Sequence, residues 1–106
     1  MQERTAAHKD STLEDVLATL RNEAQALSRS GVLHTWVIGS VARREDGPDS
    51  DIDIVGEFAR GSGTMRLLDA QEHLASVFGR RVDLSSLGGL DLDRHAEIFR
   101  DMIQAF

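Results

Sequence analysis

The spacing of apolar residues predicts a first helix after a polar start. Residues 1–10 lack periodicity and are expected to be a flexible N-terminal lead-in to one domain over residues 11–106. Ser11 and Glu14 stand at capping-box spacing, which satisfies free N–H groups at a helix start, and Gly31 suits a helix C-terminus. Between them the apolar positions recur at helical spacing: Leu13, Val16, Leu17, Leu20, Ala24 and Leu27.

Two further helices are predicted from the same periodicity. One spans residues 64–78 and ends at Gly79. The other, capped by Asp91 or Asp93, runs to the end of the chain and carries the apolar positions Ala96, Phe99, Met102, Ile103 and Phe106. This apolar ending is expected to pack on the sheet of its own chain, with a partner or dimer surface as the alternative.

Runs of β-branched and alternating residues predict three strands. Residues 33–38 form a buried strand with Trp36 in the core, followed by a short helix over 40–44. Residues 51–55 alternate aspartate with isoleucine, and residues 80–85 place Val82 and Leu84 on one face. The element order predicts an α/β (α+β) fold, in which a small mixed β-sheet is flanked by helices.

Composition narrows the function classes. The chain has 106 residues, 12 Lys+Arg, 18 Asp+Glu and no cysteine, which excludes disulfides, thiolate metal sites and cysteine nucleophiles. No apolar run approaches the roughly 18–20 residues of a membrane span, and no signal-peptide pattern is present. A cytoplasmic protein with no membrane association is therefore expected. The net charge of −6 is unfavourable for direct nucleic-acid binding.

The acidic residues cluster where chemistry is expected. Asp51 and Asp53 lie two residues apart on a strand, so their side chains share one face about 6–7 Å apart. Like charges that close repel unless a cation lies between them, and carboxylate oxygens suit Mg²⁺ or Mn²⁺. If the strand of Asp83 is a neighbour, three carboxylates converge and can hold two metal ions. A solvated strand face is the alternative for an isolated Asp-x-Asp.

A strand that ends in Gly39-Ser40 precedes these aspartates. Glycine lets a phosphate approach the backbone, a helix N-terminus offers free N–H groups, and a serine hydroxyl can donate to a phosphate oxygen. The dipeptide alone is a weak signal, more often a plain turn. Combined with Asp51-x-Asp53 after ten further residues, it becomes specific.

The combined motif resembles the signature of the nucleotidyltransferase superfamily of the DNA polymerase β type. It reads Gly39-Ser40-Val41-Ala42-Arg43 and then Asp49-Ser50-Asp51-Ile52-Asp53-Ile54. Arg81-Val82-Asp83-Leu84 is similar to the strand that carries the family's third carboxylate. Length and element order resemble its smallest branch, the minimal nucleotidyltransferases, often encoded beside HEPN-domain proteins as antitoxins. The resemblance covers about residues 13–104 and implies the polymerase β-like nucleotidyltransferase fold.

The resemblance implies a reaction and a set of catalytic residues. A nucleoside monophosphate, AMP from ATP, would pass to an acceptor hydroxyl with release of pyrophosphate. Asp51 and Asp53 would hold two Mg²⁺ ions, or Mn²⁺, and Asp83 would complete the ion that activates the acceptor and serve as its base.

The resemblance also implies how substrate and partner are bound. Gly39 and Ser40 would bind the triphosphate, with Arg43 as a counter-charge. In the antitoxin branch the acceptor is a tyrosine of a HEPN-type toxin; this chain has no tyrosine, so self-modification at tyrosine is excluded. The alternatives are a catalytically inactive antitoxin that blocks its partner sterically and a nucleotidyltransferase for small molecules. Homo-oligomerisation is left open.

Two positions depart from the family pattern. Arg44 stands where glycine commonly follows the Ala-Arg pair, which predicts a changed loop over the triphosphate. Gly56 stands in the second strand where the family is usually apolar, which predicts a bulge beside the metal site. Of the two basic pairs, Arg43 is the residue expected to contact nucleotide. Arg44, Arg80 and Arg81 are expected to form salt bridges at the surface, with contact to the triphosphate or to a partner as the alternative.

Overall fold

A four-stranded mixed sheet organises the computed structural model, which describes residues 12–106. The strands are β1 (Val32–Ile38), β2 (Ile52–Phe58), β3 (Val82–Ser86) and β4 (Ile103–Gln104), in the spatial order β3-β2-β1-β4. β1 is antiparallel to β2 and to β4, whereas β2 and β3 are parallel. The predicted fold class is confirmed. The lead-in proposed for residues 1–10 lies outside the described residues.

Five helices lie within this described part, two before β1 and three between strands. They are α1 (Leu13–Asn22), α2 (Ala24–Arg29), α3 (Gly39–Ala42), α4 (Gly63–Phe78) and α5 (Ala96–Asp101), with a 3₁₀ turn at Leu87–Gly89. α4 provides the crossover that the parallel pair β2 and β3 requires. Its C-terminus is Gly79, at φ 67°, as the sequence predicts. Among residues 12–106, no helix is long and apolar enough to span a membrane.

The first helix begins one residue later than predicted. The Thr12 hydroxyl accepts from the Asp15 N–H at 3.2 Å, and the Asp15 carboxylate accepts from the Thr12 N–H at 3.3 Å. The capping box is therefore formed by Thr12 and Asp15, one residue after the predicted pair Ser11 and Glu14, of which Ser11 lies outside the described residues. The single predicted helix also divides at Glu23 into α1 and α2.

The core lies between one face of the sheet and helices α1, α2 and α4. Its fully buried members come from the sheet and from each of these helices: Val16, Leu20, Leu27, Val37, Ile52, Ile54 and Leu74. Burying one such side chain stabilises the fold by about 1.5–3 kcal/mol. The opposite face of the sheet is therefore the face on which functional side chains can lie.

The end of the chain is a strand and not the predicted helix. α5 ends at Asp101, and Ile103 then pairs with Val37 on β1. The pairing continues because the Ala105 N–H donates to the Thr35 carbonyl at 2.9 Å. The apolar ending thus packs on its own sheet, as expected. Its helical spacing was misleading, because pairing to the open edge of β1 satisfies backbone groups that a short terminal helix leaves unpaired.

The predicted caps of the last helix are also wrong. α5 begins after His95 with no side-chain cap. Asp91 instead shapes the preceding turn: its carboxylate accepts from the Asp93 N–H at 2.9 Å, and its carbonyl accepts from the His95 N–H at 2.7 Å.

Trp36 is only half-buried, against the prediction of a core position. A bulge between Val32 and His34 shifts the strand alternation by one residue. Thr35 and Val37 therefore face the core, and Trp36 lies on the other face of the sheet.

Gly56 lies in regular pairing, so the bulge predicted there is wrong. A Cβ at this position would lie 3.2 Å from Phe58 Cε1 and 3.5 Å from Leu84 Cδ1. The glycine therefore makes room for the Phe58 ring.

Candidate active site

The sheet topology gathers the motif residues at one edge. β1 ends where β2 and β3 begin, because β1 is antiparallel to β2 and β2 is parallel to β3. Ile38 pairs with Asp53, and Asp53 pairs with Asp83. Asp53 therefore lies at the centre of the edge, directly beside the carboxylate that the sequence analysis assigned to the third strand.

A cleft of about 270 Å³ opens at this edge. Four of the six residues singled out from the sequence line it: Gly39, Arg43, Asp53 and Asp83. Ser40 and Asp51 do not. The remaining lining residues were not anticipated: Ile38, Ser85, Glu97, Ile98 and Asp101. Glu97 and Asp101 belong to one face of α5, and their four-residue spacing was the signal available in the sequence.

Gly39 brings the backbone directly against Asp53. Its φ is 70°, and a Cβ there would lie 2.5 Å from Asp53 Oδ2. Any side chain would have to displace that carboxylate, and the left-handed conformation itself favours glycine. The glycine of the motif therefore serves two purposes at this point, the turn out of β1 and the close approach to the aspartate.

The Asp53 carboxyl is in an environment unfavourable to negative charge. Burial raises its pKa, and the charges of Asp83 and Asp51 raise it further, whereas Arg43 lowers it. The side chain is half-buried, while Asp83 is exposed. A group of like charges close enough to perturb one another is the electrostatic setting in which a divalent cation stabilises the ionised forms.

The donor set has the right chemistry for a hard cation, but its side chains are not gathered around one point. Among residues 12–106, no three acidic, histidine or cysteine side chains stand in an arrangement that would hold a metal ion. Asp51 Oδ2 lies 3.4 Å from Arg81 Nη2. Oxygen ligands from Asp53 and Asp83 fit Mg²⁺ or Mn²⁺ in kind, and an ion there would compete with Arg81 for the Asp51 carboxylate.

Arg43 is held at the cleft by two carboxylates. Its Nε donates to Glu45 Oε1 at 3.0 Å and its Nη1 donates to Asp101 Oδ2 at 2.7 Å. Both contacts raise the pKa of the guanidinium, which stays charged. Within the described residues Nη2 makes no hydrogen bond, so donors remain for an anionic ligand.

Arg44, which stands where the family pattern has glycine, lies in the left-handed backbone region that favours glycine. Its φ is 61°. Its guanidinium forms a two-point ion pair with Glu14, in which Nη1 donates to Oε1 at 3.0 Å and Nη2 donates to Oε2. This pair lowers the pKa of Glu14 to about 2. Arg44, which was predicted to change this loop, thus forms a left-handed turn and adds an ion pair between the loop and α1.

Comparison with known proteins identifies the family. The nucleotidyltransferase domain family matches residues 17–104. A protein of Thermococcus cleftensis named protein adenylyltransferase MntA is 30% identical over 93 residues, covering 87% of this chain and 94% of its own.

Two solved structures share the fold. One, provisionally described as a minimal nucleotidyltransferase, has a TM-score of 0.74 and 30% identity over 87% of this chain and 94% of its own. The other, a tri-AMPylated Shewanella oneidensis HEPN toxin in complex with an MNT antitoxin, matches at a TM-score of 0.60 and 19% identity, over 85% of this chain and 71% of that chain. The chain belongs to the nucleotidyltransferase domain family, and it is a nucleotidyltransferase.

Proposed function

We propose that the protein transfers AMP from ATP to a tyrosine hydroxyl of a HEPN-type toxin and so acts as its antitoxin. The observation that carries this proposal is the register that sets Asp53 beside Asp83 and against Gly39 in one cleft. The names of two similar proteins support it: one is called a protein adenylyltransferase, and the other is in complex with an AMP-bearing HEPN toxin. The use of ATP places the proposed activity in the cytoplasm.

The nucleotide side of the cleft is formed by Gly39 and Arg43. Gly39 has no side chain to keep a phosphate from the backbone. The Nη2 of Arg43, which makes no hydrogen bond to residues 12–106, would donate to a phosphate oxygen, and its position is fixed by Glu45 and Asp101. The hydroxyl of Ser40, in the first turn of α3, would donate to the same triphosphate.

The carboxylates of Asp53 and Asp83, joined by that of Asp51 once it turns away from Arg81, would hold Mg²⁺ or Mn²⁺, which supplies positive charge against the triphosphate and the acceptor oxygen. Asp53 is the half-buried member of this set and Asp83 the exposed one. Asp83 is therefore the carboxylate that an incoming acceptor reaches from solvent.

The reaction is a displacement at the α-phosphorus. The acceptor oxygen forms a bond to that phosphorus, and the bond from the phosphorus to the bridging oxygen of the β-phosphate breaks. Pyrophosphate leaves with the electron pair. The hydroxyl proton passes to a carboxylate oxygen of Asp83.

The size of the cleft favours a protein acceptor. The triphosphate would occupy much of this open cleft of about 270 Å³, which leaves little enclosed space for a second small molecule. A hydroxyl presented on the surface of another protein needs no enclosing pocket. This argument favours a toxin side chain over a small-molecule acceptor.

The experiment combines the purified protein, the proposed HEPN-type partner, Mg²⁺ and ATP labelled in the α-phosphate. Label is expected on the partner with the wild type and not with Asp51→Ala/Asp53→Ala. Glu72→Gln, an exposed acid on α4, serves as the matched control and should label normally. Loss of label when the partner's candidate tyrosines are changed to phenylalanine identifies the acceptor.

The inactive alternative makes the opposite prediction. A steric antitoxin would bind the same partner tightly and transfer no label with any nucleotide. That result would overturn the proposed reaction while leaving the family assignment unchanged.

A further inference from the structure

Arg80 is a buried cation to which none of the steps above assigns a role. Its side chain is only 4% exposed, against 86% for Arg81. Nη2 donates to the carbonyl of Ser50. Nε and Nη1 have no hydrogen-bond partner within residues 12–106, and Nη1 lies 3.9 Å from Asp46 Oδ2. The surface position expected for Arg80 is therefore wrong, because the turn at residues 46–50 covers it.

Burying a guanidinium with unpaired donors is unfavourable. An apolar side chain of similar length would fill the same space without that cost. The contact that only a donor provides is the one to the Ser50 carbonyl, immediately before Asp51. Because this carbonyl belongs to the residue before Asp51, the contact links the buried charge to the backbone of an aspartate of the motif.

Asp51 is bracketed by two hydrogen bonds from the segment that leads into β3. Before it, the Ser50 carbonyl accepts from Arg80. After it, the Ile52 N–H donates to the Arg81 carbonyl at 3.0 Å. The turn itself is closed by Ser50, whose hydroxyl accepts from the Gly47 N–H at 3.0 Å.

The same short segment continues into Asp83, which pairs with Asp53. Arg80 therefore links the turn that leads into β2, which carries Asp53, to the segment that leads into β3, which carries Asp83. We infer that Arg80 is a positioning residue, which fixes Asp51 relative to Asp83 so that the carboxylates bind a divalent cation together with the nucleotide.

The planar fork of arginine suits this role. One of its nitrogens donates to the Ser50 carbonyl while another lies 3.9 Å from Asp46 Oδ2, so the guanidinium lies against both ends of the turn. A lysine ammonium at the same depth keeps the charge and one donor direction but not the fork. The inference rests on the proposed function, since it assigns Arg80 to the carboxylates that this function uses.

The test measures Mn²⁺ binding in the presence of an ATP analogue whose α–β bridge is a methylene group. Free Mn²⁺ is followed by electron paramagnetic resonance for the wild type, Arg80→Met, Arg80→Lys and the control Arg29→Met, an exposed arginine on α2. Loss of a residue that orients metal ligands weakens binding by about 10–100-fold, which is the effect expected for Arg80→Met. Arg80→Lys should be intermediate and Arg29→Met unchanged.

The melting temperature of each variant separates positioning from support of the fold. A folded Arg80→Met with wild-type Mn²⁺ affinity would overturn the inference, even if its melting temperature were lower. Should Arg80→Met fail to fold, Arg80→Lys decides: intermediate affinity supports positioning, and wild-type affinity overturns it.

This readout does not depend on transfer to a toxin. A wild type that binds Mn²⁺ with the analogue but labels no partner would contradict the proposed acceptor and leave the Arg80 inference to be decided by the variants. A wild type that binds no Mn²⁺ would overturn the inference together with the metal dependence on which it rests.

Discussion

Gly39→Ala is the substitution that the site geometry predicts most sharply. The new Cβ would lie 2.5 Å from Asp53 Oδ2 and 3.3 Å from Asp53 Cβ, at a φ of 70°. The oxygen is the end of a side chain and can rotate away, so the fold should survive. The carboxylate, however, can no longer keep the position it shares with Asp83.

The cost in stability follows from separate contributions. An L-residue in the left-handed region loses about 1–2 kcal/mol, and forcing Asp53 away from its rotamer costs about 0.5–1.5 kcal/mol. A less flexible unfolded chain offsets about 0.4–1 kcal/mol of this. We therefore expect the free energy of unfolding to fall by about 1–2.5 kcal/mol.

Gly79→Ala isolates the backbone contribution. Gly79 has nearly the same φ, 67°, and nothing within 4 Å of its added Cβ. Its free energy of unfolding in urea should fall by about 1 kcal/mol with transfer activity unchanged. Gly39→Ala should lose about 100-fold in transfer rate, the scale of a reacting group displaced by about 1 Å. Equal activity in the two variants would refute the close packing of Gly39 on Asp53.

Three further predictions concern the scaffold. Leu74→Ala, at a fully buried core position, should lower the free energy of unfolding by about 2–5 kcal/mol; a loss below about 1 kcal/mol in urea would contradict the assigned core. Arg44→Gly and Arg44→Ala both remove the ion pair with Glu14, but glycine relieves the positive φ, so thermal unfolding should find the glycine variant more stable by about 0.5–1 kcal/mol. Glu14 has its pKa lowered from 4.5 to about 2, so the ion pair stabilises the fold fully above pH 4.5 and loses that effect as the pH falls towards 2. The difference in melting temperature between wild type and Glu14→Gln should shrink over that range, and a difference independent of pH would contradict the pairing.

The sequence predicts the sheet and the helices that cover it because their apolar periodicity is strong. Leu20 and Leu74 lie in the core as their spacing indicates. The prediction fails where tertiary contacts outweigh local pattern. Residues 103–106 have helical spacing, yet the open edge of β1 offers them backbone partners. A one-residue bulge, invisible to periodicity, moves Trp36 to the other face.

The residues of the candidate site likewise fall into those that the sequence predicts and those that only the fold brings to the cleft. Asp53 and Gly39 follow from a compact motif, and their contact is a consequence of neighbouring strands. Asp101 is indicated in the sequence only by its four-residue spacing from Glu97, because it reaches the cleft from a helix far along the chain. Arg80 has no signal, because it becomes buried only when a turn closes over it. The charge of Arg80 predicts a surface position, whereas in the structure the turn at residues 46–50 covers its side chain.

The most direct test of the central claim compares ATP labelled in the α-phosphate with ATP labelled in the γ-phosphate. Each is incubated with Mg²⁺, the wild-type protein and the purified HEPN-type partner that the proposed function assigns to it, and the partner is then isolated under denaturing conditions. AMP transfer predicts that the α-label stays on the partner and that the γ-label leaves with pyrophosphate. Retention of the γ-label, or of neither label on a partner that nevertheless binds, would contradict the account.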